Sequence, residues 1–341
     1  MTTTTITQYE LQTVKEKKEN SDIAVEDTPQ LKSHDAQQPL IWRNIIGIAI
    51  LHIFGVYAFA TSCTQAKLGT WIFSPLYGIS AGLGITAGAH RLWAHRSYSA
   101  KLPLRIFLAY LYCMAGQTHM YKWIRDHRTH HRFSETTADP HNANRGFFFS
   151  HMGWLMMKRH PDVIQNGKEI DMSDIAADPV IQFFDKFYEP IMLSLCFVLP
   201  TLIPVYCWNE TWYISIHAVI IRYIWLLNAT FLVNSFAHMW GNRPYNRKLR
   251  PTENPTVAFF TLGEGWHNYH HSFPWDYRAA ELGAYGLNPS TAFIEIMSWF
   301  GLAYNLKTPN RDLVKSFNLN KGDGTDSFWG HQYHKNIQRK R

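Results

Sequence analysis

Apolar residues gather in five stretches of the chain, and their lengths sort them into two kinds. The first, about 41–61, and the second, about 71–89, are each near the ~20 residues that a helix needs to cross a bilayer. Only a short linker separates them, which predicts a helical hairpin. Residues 191–208 and 212–233 predict a second hairpin, with Pro200 and Pro204 inside its first arm. A bilayer helix tolerates such prolines where its neighbours re-satisfy the carbonyls they free. The fifth stretch, 102–117, is short for a span and contains Arg105, which predicts a re-entrant or interfacial helix.

The polar stretches then fall into place. Residues 1–38 are polar and Thr-rich with no apolar period, which predicts a disordered tail. They lack the apolar core of a cleavable signal, so the first insertion signal is the run at 41–61. With four crossings and an interfacial 102–117 helix, the N-terminus, residues 90–190 and residues 234–341 share one side of the membrane. Arg91, Arg96, Lys101, Arg125, Arg128, Arg132, Lys158 and Arg159 lie on that side, whereas the hairpin turns hold little besides Lys67 and Glu210. The positive-inside rule makes it the cytosolic side. The expected architecture is an all-α integral membrane protein: four transmembrane helices in two hairpins under a helical cytosolic cap. One domain should cover 39–314, followed by a polar, basic C-terminal tail over 315–341.

Composition supports this. Aromatic residues make up 15% of the chain and charged residues only 17%, well under the roughly one quarter usual in soluble domains. Abundant Trp and Tyr suit a membrane–water interface. The net charge of +7 fits an anionic partner, but nucleic-acid binding would explain neither the spans nor the histidines described next. Cys63, Cys113, Cys196 and Cys207 form no Cys-x-x-Cys and lie in or beside apolar runs, as packing residues do.

Two copies of one short pattern carry the chemistry. His127, His130 and His131 form a His-x-x-His-His cluster, and His267, His270 and His271 repeat the spacing. Positions i, i+3 and i+4 share a helix face, so each triplet aims three imidazoles at one place. His90 and His95 form a looser cluster, and His238 stands alone, four residues after Asn234 on the same helical face. If all share one side of the membrane, nine imidazoles converge, more than one first-row metal holds, and two metals are the economical reading. Asn234 could hold a metal-bound water. Asp126, Glu135, Asp139 and Glu264 are natural partners for the outward ring N–H groups. The clusters contain no Cys and the chain no His-Glu-x-x-His, against structural zinc and zinc-protease readings. Imidazole suits Zn, Cu, Fe and Ni, so ligand type alone leaves the metal open.

His90-Arg91-Leu92-Trp93-Ala94-His95, Arg125-Asp126-His127-Arg128-Thr129-His130-His131 and Gly263-Glu264-Gly265-Trp266-His267-Asn268-Tyr269-His270-His271 are similar to the three histidine boxes of the membrane-bound acyl-CoA desaturases. Asp139-Pro140-His141, Asn234-Ser235 with His238, and Arg243-Pro244-Tyr245 also resemble that family, over about residues 40–310. The insect enzymes, particularly those of moths that make pheromone precursors, look most alike, through Leu199–Trp208 and Phe273–Arg278. The resemblance implies two iron ions held by the nine histidines, with Asn234 acting through water. It further implies a fatty acyl-CoA substrate, O2, and cytochrome b5 with its NADH-dependent reductase as electron source. The chain has no His-Pro-Gly-Gly haem motif, so the cytochrome is expected to be a separate protein docking on the basic cytosolic face. By the same resemblance Asn44, Arg125, Asp126, Lys158 and Arg159 match positions that hold the CoA portion. Gln117, Trp123, Thr230 and Phe231 match positions at the bend of the acyl tunnel.

The expected function is insertion of a double bond, Δ9 or Δ11, into a saturated or monounsaturated acyl-CoA at the endoplasmic-reticulum membrane, with both termini cytosolic. An unactivated C–H bond is beyond acid–base catalysis by side chains, so a redox metal is required. A hydroxylase or conjugase of the same fold would use the same histidines. A non-catalytic metal-binding membrane protein or transporter would instead line its spans with paired charges, and Arg222 is the one strong candidate there.

Overall fold

The computed structural model describes residues 38–281, 287–327 and 329–330. The tail expected over 1–38 lies, but for its last residue, outside them, as does the end of the polar C-terminal segment. Every element below belongs to the compact unit that begins at Pro39.

Among the described residues four helices are long and apolar enough to cross a membrane. α1 covers Trp42–Ser62. α2, Leu68–Leu83, continues as a π-helix over Gly84–Ala94, making 27 residues in all. α3 is Leu102–Ala115, only 14 residues, ended by Gly116 in the left-handed region at φ 62°. Its Leu104, Leu108 and Tyr112 are buried, while Leu102, Ile106 and Phe107 are exposed. At 14 residues it is too short to cross a bilayer as a helix.

The cap begins with α4 (Met120–Phe133), α5 (Phe147–His151), α6 (Pro161–Lys168) and α7 (Pro179–Lys186). The third span, α8, covers Tyr188–Trp208 and contains a π-helical turn at Leu193–Val198. Pro200 lacks the N–H that would bond Cys196 O, and Arg222 of the fourth span fills the gap, Nη2 donating to that oxygen at 2.5 Å. Arg222 Nη1 also reaches Met114 O at the end of α3, at 3.4 Å. The intramembrane cation is thus a cap for freed carbonyls. α9, Trp212–Asn234, starts at Thr211, whose hydroxyl accepts from Ile214 N–H, and breaks at Ser235 before α10, Phe236–Met239.

The rest of the cap comprises α11 (Pro255–Phe260), α12 (His267–Ser272), α13 (Pro289–Trp299) and α14 (Arg311–Lys321). The polar segment expected from 315 thus starts inside α14, where Val314 and Asn318 are buried. A two-stranded antiparallel pair, β1 (Ser99–Ala100) with β2 (Ala303–Tyr304), fastens the loop after α2 to that following α13. The main core packs α2 and its π-extension on α3, and Gly84 sets their separation: a Cβ there would lie 2.2 Å from Tyr112 N.

Candidate metal centre

Three elements deliver most of the histidines. α4 carries His127, His130 and His131, α12 carries His267, His270 and His271, and the π-extension of α2 ends at His90 and His95. The π-turn unites the last pair, because His95 N–H bonds His90 O across five residues at 3.0 Å. α10 adds His238 from beyond the break at Ser235.

The nine rings sort into two groups. In one, His90, His95, His127, His131 and His270 each offer a nitrogen within 4.8 Å of the others; in the second, His130, His238, His267 and His271 do the same. Within the groups Nε2 atoms face one another: His90 to His270 at 3.0 Å, His95 to His127 at 2.7 Å, His131 to His270 at 3.0 Å, His238 to His267 at 3.0 Å. Ligands about 2.1 Å from a metal and at right angles stand about 3.0 Å apart, so these spacings fit nitrogens around a cation.

The outward nitrogens explain the orientation. His90 Nδ1 meets Glu264 at 2.9 Å, His130 Nδ1 meets Asp139 at 2.9 Å, and His238 Nδ1 meets Glu135 at 2.7 Å. A carboxylate on Nδ1 fixes the tautomer that leaves Nε2 bare for a metal. Burial holds His95, His127, His131, His267, His270 and His271 well below the usual imidazole value, in the neutral form that ligates. His130 runs the other way: burial opposes its charge, but Asp139, its hydrogen bond and Glu135 raise it. Asp139 is held at about 2 by His130 against its own burial.

Behind Glu264 stands Arg91, 1% exposed, with every donor engaged. Its Nε and Nη2 reach Glu264 Oε1, Nη1 reaches Tyr277 O and Thr291 Oγ1, and Nη2 also reaches Asn288 Oδ1. Arg128 similarly binds Trp93 O, Ala94 O and Asp174. The sequence assigns both arginines only to the positively charged side of the spans; their positions beside the histidines were the available signal for this further role.

A cavity of about 580 Å³ opens from this centre and runs between α2 and α9 to the far ends of the spans. His90, His127, His130 and His267 line one end, Ser62, Cys63 and Thr70 the other, with Gly78, Leu226 and Ala229 between. Trp123, Thr230 and Asn234 line it too, and Trp123 stacks on His127 at 5.2 Å. Gln117 stands behind the wall, its Nε2 donating to Thr230 Oγ1 at 3.4 Å. Phe231 turns away and packs on His151 and Trp154. Of the anticipated CoA positions, Arg159 pairs with Asp126 through both guanidinium arms, and Arg125 lies 3.8 Å from the same carboxylate. Asn44 Nδ2 donates to Leu155 O, and Lys158 is exposed.

Four spans, a histidine-lined centre at the end of one pair and an apolar cavity leading from it define a multi-pass membrane protein built to bring a long apolar molecule to a metal. The sequence pattern of the family described as Fatty acid desaturase matches residues 66–283. The chain is 51% identical to an acyl-CoA Delta-9 desaturase of Acheta domesticus over 86% of its length and 82% of the relative's. It is 52% identical to an acyl-CoA Delta(11) desaturase of Spodoptera littoralis, covering 85% and 86% of the two chains. It is 48% identical to a (11Z)-hexadec-11-enoyl-CoA conjugase of Bombyx mori, covering 84% and 87%. The protein belongs to the fatty acid desaturase family.

Proposed function

We propose that the protein is an acyl-CoA desaturase of the endoplasmic-reticulum membrane that holds two iron ions, one in each histidine group, with Asn234 reaching the second through water. A saturated acyl-CoA, O2, two electrons and two protons give the unsaturated acyl-CoA and two waters. Cytochrome b5, reduced by its NADH-dependent reductase, supplies the electrons from a separate protein on the basic face, and both termini are cytosolic. The observation that carries this reading is the cavity: an apolar passage along two spans whose end is walled by members of both histidine groups.

The bound irons would supply the oxidising power that breaks unactivated C–H bonds. The chain's own residues do the rest. Carboxylates on Nδ1 aim the imidazoles, Trp123 stacks on His127 to shape the passage, and the cavity walls strip water from the acyl chain. Arg125, Arg159 and Lys158 offer positive charge to the CoA phosphates around Asp126 of α4. The regiochemistry, Δ9 or Δ11, follows from how far the chain threads past the centre, with Trp123 and Thr230 on the wall of the route, Gln117 bonded to Thr230 behind it and Phe231 facing away. Relatives named for both positions match almost equally.

Expression in a desaturase-deficient yeast fed C12 to C18 fatty acids, with double-bond mapping of the lipids, tests the reading. A new monounsaturated product is expected. Iron-loaded protein giving no unsaturation would overturn it, and conjugated or hydroxylated products would favour the related activities.

A further inference from the structure

Four polar side chains, joined by hydrogen bonds and reaching the second histidine group only through Ser235, have no part in that chemistry. His52 lies ten residues into α1, about 15 Å along the helix at 1.5 Å per residue. An imidazole at that depth is costly unless paired. Its Nδ1 donates to Ile48 O at 2.8 Å, which leaves Nε2 bare to accept from Asn228 Nδ2 at 3.2 Å. The second Nδ2 hydrogen of Asn228 goes to Ile224 O at 2.9 Å, fixing the amide so that Oδ1 faces His151 Nε2 at 3.1 Å. That nitrogen must carry the His151 proton. Burial pushes His151 below its ordinary value, and its Nδ1 stands 2.9 Å from the Ser235 hydroxyl, whose single hydrogen is shared with Phe231 O, also at 2.9 Å. Hydrogen bonds thus run without a break from Ser235 through His151 and Asn228 to His52.

The chain ends where it can matter. Ser235 is fully buried and forms the break between α9 and α10, with φ −108° and ψ −74°. Asn234 precedes it, and His238 N–H bonds back to Ser235 O at 3.1 Å. His238 is one of the four nitrogens of the second group, whereas none of the five in the first group stands on α9 or α10.

We propose that Ser235, His151, Asn228 and His52 form a positioning strut for the second metal site: braced on α1 and α5, it fixes the α9–α10 break and thereby the placement of His238 and Asn234. The inference rests on the reading of both histidine groups as iron sites. The strut acts through His238 and touches no reacting atom.

The test measures iron per chain in the full-length protein, purified in detergent and dialysed against a chelator. Ser235→Ala and His151→Phe remove its hydrogen bonds with little change of volume, and Ser235→Thr restores the hydroxyl. Wild type should retain two irons. Ser235→Ala and His151→Phe should retain one, with affinity of the other site reduced about 10–100-fold, and Ser235→Thr should recover two. Thermal unfolding of the metal-free proteins separates this from misfolding, since the variants should melt close to wild type. Retention of two irons by Ser235→Ala and His151→Phe overturns the strut, as does joint loss of both ions. A wild type that binds other than two irons overturns the metal reading itself, and the strut with it.

Discussion

Glu264, Asp139 and Glu135 each hold one histidine through Nδ1, but they are tied differently into the fold. Glu264 also balances Arg91, a fully engaged cation 1% exposed, so Glu264→Gln strands a buried charge. Breaking such a pair costs about 3–5 kcal/mol, and a markedly lower Tm is expected before any effect on activity is read. Glu135 stands apart from that network and sits at a left-handed φ of 64° while its carboxylate reaches His238. Glu135→Gln keeps the shape but weakens the partner, and metal retention after chelator dialysis should fall about 10–100-fold. Unchanged retention would remove Glu135 from the site. The buried rings also set a pH dependence. Burial depresses six of them (His95, His127, His131, His267, His270 and His271), so the metal-free fold binds fewer protons there than the unfolded chain does. Their contribution is complete above the unfolded value of about 6.5 and is lost as the pH falls below it, by up to about 1.4 kcal/mol per pH unit per ring. Melting curves of metal-free protein should drop steeply below about pH 6.5; a flat profile would contradict the burial argument.

The elements show what the sequence could and could not disclose. The i, i+3, i+4 spacing of His127, His130 and His131, and its repeat at His267, speaks directly of a helical face, and α4 and α12 carry them so. His90 and His95 are five apart, which on an α-helix separates side chains by about 140°. Their union depends on the π-helix Gly84–Ala94, every residue of which is buried, and π geometry leaves no period in the residues to read. The partner carboxylates Glu264, Asp139 and Glu135 were legible because each lies close to a histidine pattern, but the same ground singled out Asp126, which pairs with Arg159 instead; the roles of Arg91 and Arg128 were not legible, because a charge beside a span ordinarily faces water. Phe231 shows a related limit: its position on α9 was clear, but a one-residue step on a helix decides between cavity and strut. The α2–α3 contact gives a prediction at this scale. Gly84→Ala places a Cβ against the Tyr112 backbone and should cost about 1–3 kcal/mol or more as overpacking, read as a fall in Tm. Gly47→Ala on α1, with nothing within 4 Å of the new atom, is the control and should not lower Tm, since Ala is the better helix former.

For the whole molecule, four apolar runs of sufficient length, split by one too short to cross, dictate which loops face the same way. The first and third spans, α1 at Trp42–Ser62 and α8 at Tyr188–Trp208, fall close to their expected limits, while the second and fourth run on to Ala94 and Met239, past the expected 89 and 233. The helix expected to lie at the interface is α3, and if it crossed instead, α4 and the π-helix could not share a site. The topology has a direct test. In sealed microsomes a membrane-impermeant maleimide should label a cysteine introduced at Lys168→Cys in the cap and spare one at Thr64→Cys in the first hairpin turn. Equal labelling would refute the four-span arrangement.

Arg91 imposes an order in time. Its guanidinium is satisfied by residues as distant as Thr291, 200 positions further along the chain. At a synthesis rate of about 5–20 residues per second, those partners emerge roughly 10–40 seconds after Arg91 itself. During that interval the second span waits in the membrane with an uncapped cation at its end. A nascent chain stopped anywhere before Thr291 cannot complete the network around His90, so nearly the whole protein must be synthesised before a metal finds a finished pocket.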